Sequence, residues 1–559
     1  DRKALPAPDL SSRQVGDEYV APASPIEEEL CVIWREVLRI EKIGIHDNFF
    51  RVGGDSIISI QLVAKARQRG IHFAVKDIFN YPTIAGLSLV SKAQENILTL
   101  KPEQGMVKGD IPLTPIQHWF FEEKLKNRNH FNQASLLEIQ GQFDPSLLKK
   151  AFEFLVDHHD VLRCRYVKEA AGFWKQINLE REDIDSIWVS IDFSDLIPEE
   201  ISAKIEEECN TLQQSLNIEN GPLIKVALFN CGPREGARLL IVIHHLVVDG
   251  VSWRILLEDL EDVYEALNQN TRPLLTKTHA YQQWSDALVS YATSKELEDQ
   301  VEYWKKIQES IKQIPVDFDK GAACDASQSI VLSLTEEETR ALLQRVPKAY
   351  RTQINDILLT ALTLAIGDWT QEYRLSLSLE GHGREAISSD IDPSRTIGWF
   401  TSIFPVCLEI SNPEDPGEAI KTVKEELRRI PGKGIGYGIL AYLTKNLTST
   451  SSTGSSLPSS LHPTLSFNYL GQWDNTLSSD SLFSFAGESS GRNIAEDNPS
   501  SYLLNINSEI RQGTFHISFG YSSNHYHHQT IDKIAKAFIK RLKELINHCS
   551  QDNVFGYTP

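Results

Sequence analysis

The chain lacks any long apolar run. Nothing approaches the ~20 residues a membrane-spanning helix needs, so no membrane partner is expected. It is also short of positive charge. Lys and Arg number 56 against 76 Asp and Glu, a formal charge of −20. Nucleic-acid phosphates need clustered Lys and Arg, so a nucleic-acid partner is excluded. Cysteine is sparse. The seven, at 31, 164, 209, 231, 324, 407 and 549, are odd in number and form no CxxC, which fits a reduced, cytoplasmic compartment. The first residues, Asp1-Arg2-Lys3-Ala4-Leu5-Pro6, have neither a signal-peptide apolar core nor a starting Met, as in a piece cut from a longer chain. Asn446-Leu447-Thr448 matches a glycosylation sequon, read as chance without a secretory signal. No Gly-rich segment follows a strand as a nucleotide fingerprint requires. His525, His527 and His528 fit no zinc spacing, so a polar turn is expected there and no metal.

At 559 residues the chain exceeds one core, and several domains are expected. Residues 1–21 read as a linker. A helix then starts at Ser24 as cap, Pro25 at the first helical position and Glu27 completing a capping box. Ile26, Leu30, Ile33, Trp34 and Val37 form its apolar stripe. A loop through Gly44 to Gly54 precedes a second helix from Ser56. A turn at Asp77-Ile78-Phe79 and a last helix from Thr83 close a small all-α unit over 22–93. The polar stretch 94–110 is an interdomain linker. From 111 to 559 strands and helices mix, as in α/β layers. Strands are expected at 136–139, 161–167, 239–243, 374–380, 402–410, 464–469 and 513–521, and a last helix at 529–547. The Ser- and Thr-rich stretch Thr448 to Ser460 reads as a mobile surface loop. His158-His159-Asp160 is expected to end a helix, and Trp119, Trp399 and Trp473 to be core or channel wall.

Two segments carry chemistry. In Gly53-Gly54-Asp55-Ser56, paired glycines allow a tight turn, and a helix N-terminus favours an attached phosphodiester. Taken alone, Ser56 reads as a simple N-cap. In the second, the apolar run Leu239 to Ile243 delivers His244 and His245 to a strand end, and Asp249-Gly250 turns the chain. That puts an imidazole at a cleft rim.

The run Asp47-Asn48-Phe49-Phe50-Arg51-Val52-Gly53-Gly54-Asp55-Ser56-Ile57 resembles a peptidyl carrier protein of nonribosomal peptide synthetases. The resemblance implies 4'-phosphopantetheine covalently attached to Ser56 by a phosphopantetheinyl transferase. The first residues resemble the tail of an adenylation domain, the upstream partner otherwise missing here. Pro112 to Phe120 resembles the opening motif of a larger domain, and His244-His245-Leu246-Val247-Val248-Asp249-Gly250 the signature shared by condensation and epimerization domains. Glu380-Gly381-His382-Gly383-Arg384-Glu385, Arg395 to Ser402, Gly434 to Leu440 and Phe467-Asn468-Tyr469-Leu470-Gly471-Gln472 resemble the epimerization branch. The fold implied is multidomain: a small four-helix carrier domain, then a large α/β domain of two chloramphenicol-acetyltransferase-like lobes around a central channel. The N-lobe is expected at about 111–285 and the C-lobe at about 286–559.

The activity implied is epimerization of a carrier-bound L-aminoacyl or peptidyl thioester to a D/L mixture, passed to a downstream condensation domain. Inversion at Cα needs a base on one face and an acid on the other. The resemblance gives these roles to His245 and Glu380, without saying which removes the L-proton. The developing carbonyl charge needs a donor. Asn468 and Tyr469 are candidates, Tyr469 also as proton relay. Ser252 and Trp253 are expected to shape the tunnel, Asp249 to pair with Arg384, and His244 to pack or hydrogen-bond. Two alternatives stay open: a condensation domain forming a peptide bond, and a non-catalytic condensation-like platform. The loaded amino acid is not legible, since the selecting domain is absent.

Overall fold

The computed structural model describes residues 19–93, 101–319, 327–388, 390–444, 457, 462–472, 477, 481–551, 554 and 556. Most of the Thr448–Ser460 stretch, the Asn446 sequon, Cys324 and Trp473 lie outside the described residues.

The N-terminal unit is four helices on one apolar core. Helix α1 (Pro25–Leu38) opens on the capping box: Glu27 N–H donates to Ser24 Oγ, and Glu27 Oε2 accepts from the Ser24 amide. Helix α2 (Ser56–Gln68) is capped by Asp55 rather than Ser56. Asp55 Oδ1 accepts from the amides of Ile57 and Ile58 at 2.9 and 2.7 Å. Ser56 is thus the first residue inside the helix. The expected turn at 77–79 is instead a short helix, α3 (Val75–Asn80), because Asp77 reaches back to the Ala74 amide and starts a hydrogen-bonded turn. Helix α4 (Ile84–Val90) is capped by Thr83. Trp34, Phe49, Ile58, Leu62 and Ile78 fill the core.

The rest is α/β. A five-stranded sheet runs in the order 483–485, 132–139, 237–244, 224–230, 188–192. A six-stranded sheet runs 327–333, 514–522, 504–511, 465–472, 374–381, 402–409. Ala237–His244 is buried along its whole length, so it reads as a continuous apolar run rather than an alternating one. The stretch expected as one strand at 161–167 begins as a 3-10 turn, Asp160–Arg163, and becomes a strand only at Cys164–Lys168. Arg163 donates to the Val156 and Asp157 carbonyls, and this holds the turn. A division of the lobes near 285 is not a clean cut. The short strand Phe483–Phe485 crosses from the C-terminal half and pairs with Leu137–Ile139 in the first sheet.

Candidate active site

Strand 237–244 ends at His244, and His245 opens a 3-10 turn. The His244 ring is fully buried, with Nε2 2.8 Å from the Arg128 carbonyl and Nδ1 accepting from the Leu246 amide. Burial lowers its pKa to about 3, so it is a neutral structural group. His245 is half-buried. Its Nδ1 lies 2.8 Å from the Val248 carbonyl and its Nε2 3.1 Å from the Gln133 side-chain nitrogen. A carbonyl only accepts, so Nδ1 carries the hydrogen and Nε2 the lone pair. Gln133 is fixed in turn by Trp253, whose indole N–H donates to its oxygen at 2.8 Å. Trp399 stacks on the His245 ring at 4.3 Å. Burial lowers the His245 pKa, and the Val248 carbonyl offsets part of that. The imidazole is therefore neutral near pH 7.

Asp249 is a hub. It accepts from the Ser252 amide and hydroxyl, from Arg384 Nη2 at 3.1 Å and from the Phe400 amide at 3.0 Å. Arg384 also donates to the Pro393 and Thr396 carbonyls and lies over the Phe400 ring. Ser252 is fully buried and meets both the amide and the carbonyl of Gly398. It belongs to this network rather than to a tunnel wall. Asp249, Arg384 and Ser252 so clamp the segment that presents Trp399 to His245.

Glu380 reaches the site by strand register. Strands 374–381 and 465–472 pair in parallel, Ser378 with Ser466 and Leu379 with Phe467, which brings Glu380 level with Asn468. Asn468 Nδ2 donates to Glu380 Oε2 at 2.8 Å. Burial raises the Glu380 pKa to about 7. Both residues line a cavity of about 270 Å³ whose wall also includes Gly53, Gly54, Asp55 and Ile57 of the carrier unit. The residues on either side of Ser56 thus open onto the cavity that contains Glu380. Ser56 is the first residue of helix α2, and although Asp55 already takes the Ile57 and Ile58 amides, the positive N-terminal end of the helix dipole favours a phosphodiester, so the residues present fit an arm attached there.

The structure does not bring all candidates together. His245 is absent from this cavity's wall, as are Trp399 and Gln133, two side chains that contact its ring. Tyr469 lines the cavity, but its hydroxyl is buried without a hydrogen-bond partner, in the field of Asp55 and Arg254 rather than on Glu380. Sequence reasoning missed Gln133, which carries no motif, and Arg254, whose only signal is its place in the His245 motif's helix. Among the described residues one group has metal-ligand spacing: His158, His159 and Asp259. His159 meets one Asp259 oxygen at 3.0 Å and Arg395 bonds the other, so the carboxylate is already satisfied. Helix Pro145–His158 ends there. No helix among the described residues is long and apolar enough to cross a membrane.

Residues 107–553 match the family described as condensation domain, and residues 28–89 match the phosphopantetheine attachment site family. One of the linear gramicidin synthase proteins of Brevibacillus parabrevis is 42% identical over the whole chain, which spans 11% of that protein. Gramicidin S synthase 1 of Brevibacillus brevis is 41% identical over the whole chain, which spans 50% of that protein. The crystal structure of the epimerization domain from the third module of tyrocidine synthetase B is 40% identical, covers 81% of this chain and 99% of its own, and superposes with a TM-score of 0.74. The condensation domain of the Monacolin K polyketide synthase MokA shares the fold at 14% identity, a TM-score of 0.64 and coverage of 80% of this chain and 99% of its own. The chain therefore belongs to the condensation-domain family of nonribosomal peptide synthetases, and ahead of that domain it bears a carrier domain for a covalently attached phosphopantetheine arm.

Proposed function

We propose that this chain epimerizes the Cα of an L-aminoacyl or peptidyl thioester carried on Ser56. When bound, the phosphopantetheine arm supplies a terminal thiol that holds the acyl group as a thioester. The observation that carries the reading is Glu380. It is a carboxyl with pKa about 7, held by Asn468 in a cavity that opens beside Ser56. A condensation reaction has no evident use for such a proton donor at that place. The 40% identity to a solved epimerization domain supports the same choice.

His245 Nε2 holds a lone pair and Glu380 holds a proton near neutral pH. In this reading one group takes the Cα proton and the other returns one to the opposite face, which requires the Gln133 amide to release Nε2 and the thioester to reach His245 beyond the wall of the Glu380 cavity. Asn468 orients Glu380 and, with its amide, offers a donor to charge developing on the acyl oxygen. Gln133 and Trp399 hold the imidazole plane. His244, Asp249, Ser252, Trp253 and Arg384 support His245 and the Trp399 segment. The reading places an adenylation domain upstream, a condensation domain of the next module downstream and a phosphopantetheinyl transferase as the loading enzyme, all in the cytoplasm.

The test is to load Ser56 with an L-aminoacyl arm in deuterated water and analyse the released amino acid. D-product with Cα deuterium is expected, falling at least ~100-fold in Glu380→Gln or His245→Ala, the scale of general acid–base contributions. Retention of L-configuration and protium across several amino acids overturns the reading in favour of condensation.

A further inference from the structure

We propose that Tyr469, together with Arg254, reads Asp55 of the docked carrier and so couples the seating of the carrier to the placement of Glu380 by the neighbouring Asn468. The inference rests on the epimerase reading and names a positioning residue within it.

Asp55 directly precedes the attachment residue, so its position reports where the arm begins. One carboxylate oxygen caps helix α2, while the other, Oδ2, is buried without a hydrogen-bond partner. Arg254, on helix Gly250–Asn268, faces it from the large domain with only 3% of its surface exposed. Its Nη2 donates to the Leu470 and Gln472 carbonyls at 3.4 and 3.2 Å. These groups converge on Gly471. A Cβ there would stand 3.0 Å from Arg254 Nη2, 3.2 Å from Ile57 Cδ1 and 3.5 Å from Asp55 Oδ2. Gly471 also has φ +84°, so glycine serves both the close approach and the turn.

Tyr469 completes the contact. Its hydroxyl is a buried donor without a partner, and Asp55 Oδ2 is a buried acceptor without one, in the same electrostatic neighbourhood. Buried polar groups are rarely left unpaired, both residues line the same cavity, and in the proposed coupling a closing movement pairs these two. The strand is able to give at this point, because its register shifts between Tyr469 and Gln472. Asn468, one residue back, holds Glu380. A tug on Tyr469 is thus felt one residue from the reacting carboxyl. Other contacts hold the carrier on its own: Gln472 to the Gly53 carbonyl, Lys65 to Glu258 at 3.0 Å and Arg67 to Asp392. Asp55 is left to signal rather than to anchor.

The experiment uses the whole chain with an L-aminoacyl arm on Ser56 and follows Cα deuterium uptake in one turnover. Asp55→Asn keeps the helix cap and removes the charge, and Tyr469→Phe removes only the hydroxyl. Each is expected to slow exchange at least tenfold. The double variant is expected to be no slower than the worse single, and the alkaline limb of the rate is expected to move above the wild-type position, because loosening the Asn468 N–H destabilises the Glu380 carboxylate. Multiplying effects in the double variant, or an unmoved limb, overturns the coupling. Amide hydrogen exchange gives a reading free of activity: Asp55→Asn is expected to speed exchange across 465–472, and unchanged protection there overturns the proposal. Failure of the unaltered chain to epimerize would instead sink the epimerase reading, while the amide measurement still decides whether Tyr469 reads the carrier.

Discussion

In the proposed epimerization two titratable groups set the pH behaviour. Burial raises the Glu380 pKa to about 7 and lowers that of His245 from 6.5. With the imidazole already neutral, the pair holds one proton, on Glu380, until pH rises through about 7. Epimerization in either direction needs that single shared proton, because one group must accept while the other donates. Above about pH 7 Glu380 loses it, and both groups are then bases. The exchange rate is therefore expected to fall as pH rises through about 7, for L and D substrates alike, measured with an N-acylated thioester so that the substrate amine does not titrate. A rate that keeps rising well into the alkaline range would exclude Glu380 as the acid. The residues of this pair are legible in the sequence because each lies in a short motif. Their surroundings are not. Gln133 touches His245 across 112 positions of sequence, and Trp399 covers it from a still more distant segment. Side chains brought together by sheet pairing leave no local trace.

Elements act through their ends. The helix Gly250–Asn268 begins on Asp249, which caps it, binds Arg384 and holds the Phe400 amide. One carboxylate thus ties a helix start, a loop and the Trp399 segment together. Asp249→Ala leaves a buried guanidinium unpaired, which costs about 3–5 kcal/mol in comparable pairs. A matching loss in a denaturant midpoint is expected, with activity lost as the His245 turn loosens. Asp249→Asn keeps the cap and is expected to lose less. Equal stability of wild type and Asp249→Ala would show that the hub is not structural. Element legibility follows the same logic. The capping box at Ser24 and the apolar stripe of the last helix announce themselves locally, and the last helix, His528–Cys549, lies close to its expected range. The strands Trp174–Asn178, Trp188–Asp192 and Leu504–Arg511 do not. The first two are short and half-polar, and the third alternates Asn and Ser with its apolar residues.

On the scale of the molecule, the two sheets cannot be separated by cutting once. Phe483, 1% exposed, pairs with Ile139 and belongs to the same core as Leu137 and Ile139. A fragment ending at 285 therefore lacks the edge strand of its own sheet and exposes a pairing edge. It is expected to aggregate or to be cleaved rapidly by trypsin, while the full chain resists. A monomeric, protease-resistant 111–285 fragment would show that the strand is dispensable.

That returning strand also sets a timetable. A ribosome makes residues 132–139 long before it makes 483–485, so the nascent first sheet waits with one flank bare until this domain is nearly finished. In a giant synthetase, where many such domains emerge in series, an unclaimed flank is open to the wrong neighbour's strand. The cell must then shield each half-built domain or complete it fast. An engineer swapping modules should move the chain through this strand whole, never splicing between the sheets.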